Sequence, residues 1–147
     1  MPKKKSLTVS CKDHSLIVHV AVVRNKSGLL VKYKDSSAFD GQSGWFLPND
    51  ELKHIEHPDT AAKRVLKEQV GIENAILTLS QIESFSGSDG SWHLIFDYLA
   101  TPSSDEIMKG SNVSLAQWCR IKELPNAEEF AHHGWGRGVL RKLAKVE

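Results

Sequence analysis

The stretch GWFLPNDELKHIEHPDTAAKRVLKEQVGIE, residues 44 to 73, is laid out like a phosphate-and-metal site yet carries few of the carboxylates such a site needs. On a helix, positions 65, 68 and 69 stand at i, i+3 and i+4, so their side chains share one face. Three carboxylates there would form a compact oxygen cluster suited to Mg²⁺ or Mn²⁺, ions that bridge protein to phosphate and lower the pKa of a bound water. The face reads Val65, Glu68 and Gln69 instead, which leaves one formal negative charge and, at Val65, no ligand atom at all. Strong divalent-ion binding by this helix alone is therefore not expected. Gln69 still offers a carbonyl oxygen, and Mg²⁺ can be held by one or two carboxylates when phosphates and waters complete its shell. The plainer alternative makes Arg64 and Glu68 an i, i+4 helix ion pair worth a few tenths of a kcal/mol.

The elements that must position these residues follow from pattern. The apolar runs SLIVHVAVV (15 to 23) and GLLVKY (28 to 33) predict two strands joined as a hairpin by RNKSG. A Ser-, Gly- and Asp-rich segment, 34 to 44, predicts a mobile loop able to close over a ligand, followed by a short strand WFLP (45 to 48). The helix is expected over 59 to 70, with Asp59 or Thr60 as N-cap and Gly71 as the stop. Strands at 74 to 85 and 91 to 100 flank the hairpin turn SGSDG, another strand is expected at 114 to 121, and a C-terminal helix includes 139 to 146. The order predicts a mixed sheet with helices on both faces. A basic tail, 1 to 12, precedes one domain, 13 to 147.

At this point the chain resembles the Nudix family, whose signature is G-x5-E-x7-R-E-U-x-E-E-x-G-U with U aliphatic. Glu56, Arg64, Leu66, Glu68, Gly71 and Ile72 match six of the nine fixed positions without a gap, while Asp50, Val65 and Gln69 stand where the pattern has Gly, Glu and Glu. GWFLP before the box and WCRIKELP (118 to 125) after the second hairpin are also similar to family segments. The resemblance implies an α/β fold, a Nudix-like α/β/α sandwich with a mixed β-sheet. It implies hydrolysis of a diphosphate linked to a nucleoside, with Mg²⁺ or Mn²⁺ if the protein is active and no cofactor if it is not. It also implies that Glu56 lies beside the helix, making Glu56 and Glu68 the candidate catalytic pair and Glu56, Glu68 and Gln69 the candidate metal ligands. Asp50 replaces a glycine that can adopt positive φ, an exchange expected to hinder close approach of backbone to a phosphate.

Trp45, Phe85 and Trp92 fall at strand ends, where a ring could stack on a nucleobase for about 1 to 3 kcal/mol, although each also suits a core. FAHHGWGRG (130 to 138) places His132 and His133 before the last helix, where imidazoles could hold phosphate or act as a base. With Arg64 these complete the candidate substrate-binding set. Glu83, Asp105 and Glu106 are reserve carboxylates from outside the box.

The net charge of +1 creates no field that would draw the chain to nucleic acid, and no apolar run approaches a membrane span. Cys11 and Cys119 lack metal-site spacing and are read as reduced thiols, and a cytoplasmic location is expected. Three functions compete. The first is a nucleotide or nucleoside-diphosphate binder whose hydrolysis is weak or lost. The second is an atypical Mg²⁺- or Mn²⁺-dependent pyrophosphohydrolase using Glu68 and Glu56. The third is a non-catalytic scaffold for a protein or RNA partner.

Overall fold

The computed structural model describes residues 14–39, 41–87 and 90–145, so the basic tail with Cys11, and part of the SGSDG turn, lie outside the described residues. Strands β1 (His14–Arg24), β2 (Ser27–Tyr33), β3 (Asn49–Glu51), β4 (Ala75–Ser86), β5 (Trp92–Pro102) and β6 (Val113–Arg120) accompany helices α1 (Pro58–Val70) and α2 (Trp135–Ala144). They form one mixed sheet of order β4-β5-β1-β2-β6, with β3 pairing on β1. Only β1 and β5 run parallel; the other pairs are antiparallel.

β1 reads as a nearly continuous apolar run because both of its faces are covered. Val18, Val20 and Val22 point to one face, where they pack with Leu29, Val31 and the α1 residues Ala62, Val65, Leu66 and Val70. On the other face Ala21 and Leu30 meet Leu47, Phe130 and the α2 residues Val139, Leu140 and Leu143. The result is the α/β/α sandwich that the element order predicts. Gly28 is required where α2 crosses the sheet, since a Cβ there would collide with the Leu140 side chain.

Three local expectations need correction. α1 is capped by His57, whose Nδ1 accepts the Asp59 N–H at 3.0 Å, rather than by Asp59 or Thr60. Pro58, with its fixed φ and no N–H to satisfy, is suited to the first helical position and moves the start forward. No strand spans WFLP: Trp45 and Phe46 make single bridges to Phe130 and Val31, and pairing begins at Asn49. Pro48 cannot donate to a ladder and contributes only its carbonyl, which accepts from Val20 N–H at 2.9 Å. Asp50 lies in β3 opposite Val18, outside the positive-φ residues, so its exchange for glycine strains nothing.

α1 stops where expected. Gly71, at φ 71°, donates to Lys67 O, and Ile72 N–H reaches back to Leu66 O at 3.1 Å. The next carbonyls are met from elsewhere: Met108 N–H donates to Val70 O at 3.0 Å and Gly110 N–H to Gln69 O at 2.9 Å. The loop 34 to 44 contains a short 3₁₀ turn, Ser37–Phe39, whose Phe39 ring stacks on Tyr33 at 3.8 Å.

Candidate functional site

The box closes upon itself. Arg64 projects from α1 under the β3 loop, where its Nε donates to Glu56 Oε2 at 2.9 Å and its Nη2 to Glu56 Oε1 at 3.0 Å. The same guanidinium reaches Asp50 Oδ2 and Glu51 O, each at 3.0 Å, and touches Glu68 Oε1 only at 3.5 Å. Lys53 N–H adds a third bond to Glu56. Hydrogen bonding by Arg64 is the main reason that Glu56 is held below its ordinary carboxylate range, and the guanidinium is correspondingly pushed up. A planar fork on a carboxylate of 10 % exposure is a structural clamp.

Gln69 is committed too. Its Oε1 accepts from Tyr33 OH at 2.8 Å, and its Nε2 donates to Asn49 O at 2.8 Å. Burial raises the Tyr33 phenol well above its ordinary range, so it stays a donor. Val65 is fully buried, and the Glu68 side chain is 57 % exposed. Of the expected ligands, Glu56 is consumed by Arg64, Gln69 by Tyr33 and Asn49, and Glu68 keeps only its long contact to Arg64. Among the described residues no group of three His, Cys, Asp or Glu side chains is arranged to hold a metal ion. This donor set does not fit a resident Mg²⁺ or Mn²⁺ ion, which needs several oxygens free to face it.

A cleft of ≈ 730 Å³ opens beside the box, bounded by Phe39, Phe46, Phe85 and Trp135 with Asn49, Asp50, Glu51, Glu83, His93 and His132 among its polar groups. Its volume and aromatic walls are those of a small-molecule site. Of the candidate substrate contacts, Phe85 and His132 line it; Phe85 stacks on His93 at 5.3 Å. His133 lines an adjoining depression with Lys142. Trp45 is buried in the α2-side core with Lys32 Nζ 4.5 Å over its ring, and Trp92 is an exposed residue donating to Ser84 Oγ, so neither forms a cleft wall. Asp105 and Glu106 are exposed and also outside the cleft, whereas Glu83 lies in it.

Sequence reasoning passed over the group beneath the cleft. His19 and Asp97, buried at 1 % and 0 % exposure, are register partners on β1 and β5, with His19 Nδ1 2.8 Å from Asp97 Oδ1. Gln81 Nε2 donates to the other oxygen at 2.9 Å, and the His19 ring stacks on Trp135 at 4.2 Å. Burial works against the Asp97 charge, but its bonds, led by that from His19, outweigh it and hold this carboxyl below its ordinary range. A single polar residue inside each apolar run, LIVHVAVV and LIFDYLA, was the available signal. His132 and His133 both adopt left-handed backbone, φ 53° and 56°, before Gly134 at 89°, a costly conformation placed at the cleft rim.

Comparisons with known proteins accord with this architecture. A NUDIX domain is recognised over residues 14–143. The structure is similar to a MutT NUDIX hydrolase from Burkholderia pseudomallei, with a TM-score of 0.73 and 23% identity over 90% of this chain and 99% of the other. An Ap4A hydrolase from C. elegans superposes with a TM-score of 0.66 at 18% identity, over 89% of this chain and 96% of that one. An ADP-ribose pyrophosphatase from Streptococcus suis gives 0.62 at 13% identity, over 90% and 93%. Among curated proteins none matches. With the domain match spanning nearly all of the described residues and the sandwich built as expected, the chain belongs to the NUDIX family.

Proposed function

We propose that this NUDIX protein binds a nucleotide or another nucleoside-diphosphate compound in the cleft and hydrolyses it weakly or not at all. The observation that carries this is the occupation of the box by its own side chains. Arg64 holds both oxygens of Glu56, Tyr33 and Asn49 hold Gln69, and Val65 is core. Activating a water beside a diphosphate requires oxygens free to hold an ion, and of the expected ligands only the exposed Glu68 is uncommitted apart from its long contact to Arg64. The cleft next to the box is nevertheless large and aromatic, which favours a planar base. Nothing in the donor set supports a resident metal, so Glu56 is read as a positioning residue that fixes Arg64 and the β3 loop.

One observation favours the second reading, an atypical metal-dependent pyrophosphohydrolase. Asp50 and Glu51 line the cleft mouth while no Lys or Arg among the described residues does, so phosphates there gain from a cation they bring with them. Thermal melts with a panel of nucleoside di- and triphosphates, ADP-ribose and sugar nucleotides, in Mg²⁺ and in chelator, separate the readings. A ligand present at 100 times its Kd stabilises the native state by about 2.7 kcal/mol. A shift that survives chelator supports the binder. A shift that needs metal, accompanied by product, supports the hydrolase and overturns the proposal. No shift with any compound leaves the scaffold as the better account.

A further inference from the structure

The sheet ends differently at its two edges. Beside β6, Lys109 Nζ donates to Ser114 O at 3.2 Å and Trp118 Nε1 donates to Asp105 O at 3.0 Å, so the segment leading into that strand ties down its edge. At the opposite edge β4 pairs with β5 alone among the described residues, which leaves one side of a strand of 12 residues open. Open edges are ordinarily blunted by Lys, Pro or short length. β4, AILTLSQIESFS, has no Lys, Arg or Pro, and its one charged residue, Glu83, lies in the cleft. It instead presents Ile76, Leu79, Ile82 and Phe85, each between 44 % and 74 % exposed.

The spacing of these four side chains identifies what covers them. They recur at every third residue and are symmetric about the point between Ser80 and Gln81. When two copies of β4 run antiparallel about a two-fold axis at that point, Ile76 of each meets Phe85 of the other, and Leu79 meets Ile82. Residues an odd number of positions apart on an unbroken strand point to opposite faces, which would forbid these pairs. β4 is not unbroken: its register on β5 shifts between Leu79 and Gln81, and one extra residue reverses the alternation beyond it. Leu79 and Ile82 therefore share the α1 side, opposite Tyr98 and Phe96, which pack in that core. Ile76 and Phe85 share the α2 side, where Phe85 lines the cleft. Outward amides and carbonyls follow the same alternation, so the paired residues also agree in hydrogen-bond direction. Glu83 falls opposite Thr78, and no like charges meet along the strand.

We propose that β4 is the interface of a symmetric homodimer in which two sheets join edge to edge. The pairing is isologous, so it closes at two copies. The 12 residues, at about 3.4 Å each in a sheet about 10 Å thick, present an edge of about 400 Å² per copy. Exposed Trp92, bonded to Ser84 of β4, extends the patch toward about 1,000 Å² for the pair. That is the scale of a reversible interface, with dissociation in the micromolar range. The proposal does not depend on nucleotide binding, but it bears on the cleft: Ile76 of the partner subunit stands beside Phe85 at the cleft wall.

The test is sedimentation equilibrium of the full chain from about 1 to 500 µM, a range that brackets an interface of this size. The apparent mass is expected to climb from 16.4 kDa toward twice that value. The Ile76→Lys, Ile82→Lys double variant charges the edge at positions already exposed, keeps the fold, and stays monomeric throughout, a weakening of at least about 30-fold. Disulfide trapping in a Cys11→Ser, Cys119→Ser background reads the register. Chains carrying Ile76→Cys crosslink with chains carrying Phe85→Cys, whose Cα atoms come within about 5.5 Å, whereas neither chain crosslinks with itself across about 30 Å. Wild type that remains monomeric at every concentration overturns the proposal and leaves the edge to a strand from a different protein. A dimer that survives the double Lys variant, or that does not trap 76 against 85, also overturns it and places the contact on another surface.

Discussion

Replacing Arg64 with Ala tests the clamp most directly. The fork makes two bonds to Glu56, whose side chain is 10 % exposed, and one each to Asp50 and Glu51 O. Hydrogen bonds to a charged group contribute about 1.5 to 3 kcal/mol each, but they are not additive, and stranding a partly buried carboxylate adds its own penalty. Asp50 and Glu68, at 39 % and 57 % exposure, are screened by water and add only tenths of a kcal/mol. The expected loss is about 2 to 4 kcal/mol, or roughly 5 to 15 °C in Tm for a chain of this size. Arg64→Lys restores a point charge without the fork and recovers less than half. The effect carries a pH signature. Glu56 sits below its ordinary value of 4.5 in the folded protein, so its pairing stabilises above that value and fades as pH falls through the folded one. Calorimetric melts at pH 7 and pH 3.5 should therefore show a gap between wild type and Arg64→Ala that narrows in acid. A gap under 2 °C at pH 7, or one that stays constant in acid, refutes the clamp.

Other outcomes follow from the same geometry. Val65→Glu places a carboxylate at a fully buried site, so it should lower stability by about 3 kcal/mol or more in melts and gain no activity with Mn²⁺; a stable, active variant would show that the position opens toward the cleft. Gln69→Glu turns the donor facing Asn49 O into an acceptor and should cost about 1 to 3 kcal/mol at pH 7, measured by urea unfolding, with the deficit shrinking as the new carboxyl is protonated. Glu68→Ala should change stability by under about 0.5 kcal/mol, because its contact with Arg64 is long and exposed. Glu83 is raised from 4.5 to about 7, so its contribution is present below pH 4.5 and lost as pH rises to 7. Glu83→Gln should accordingly melt near wild type at pH 5 and above it at pH 8.

The five long strands, the amphipathic α1 and the two covered faces were legible because each rests on local periodicity, and the long gapless box made the family legible with them. The loss of carboxylates at Val65 and Gln69 was equally plain. Their replacements were not. Tyr33 and Gln69 are 36 positions apart, and nothing local announces that a phenol bonds to the side chain expected to offer an oxygen to an ion. His19 and Asp97, 78 positions apart, meet only because β1 and β5 pair in parallel, a relation set by the whole sheet. Trp45 could be called core or stacking surface from sequence, and only the packing of Phe130 and Leu47 decides it. The left-handed pair His132 and His133 was unreadable for another reason, since non-glycine residues enter that region only when tertiary contacts impose it.

The segment that reaches over the end of α1 has a kinetic consequence. Gly110 passes so close to the Glu68 carbonyl that any side chain there would collide with it, and its own carbonyl accepts from Val113 N–H at 3.2 Å where β6 begins. The terminal turn of α1 is thus laced to the far edge of the sheet through Met108 and Gly110. Such a turn would ordinarily fray in isolation. Here its opening must also release the start of β6, so the Met108 and Gly110 amides should exchange with solvent deuterium together, as one cooperative unit. A Gly110→Ala chain should lose that shared protection first, with the helix end exchanging quickly while β1 stays closed.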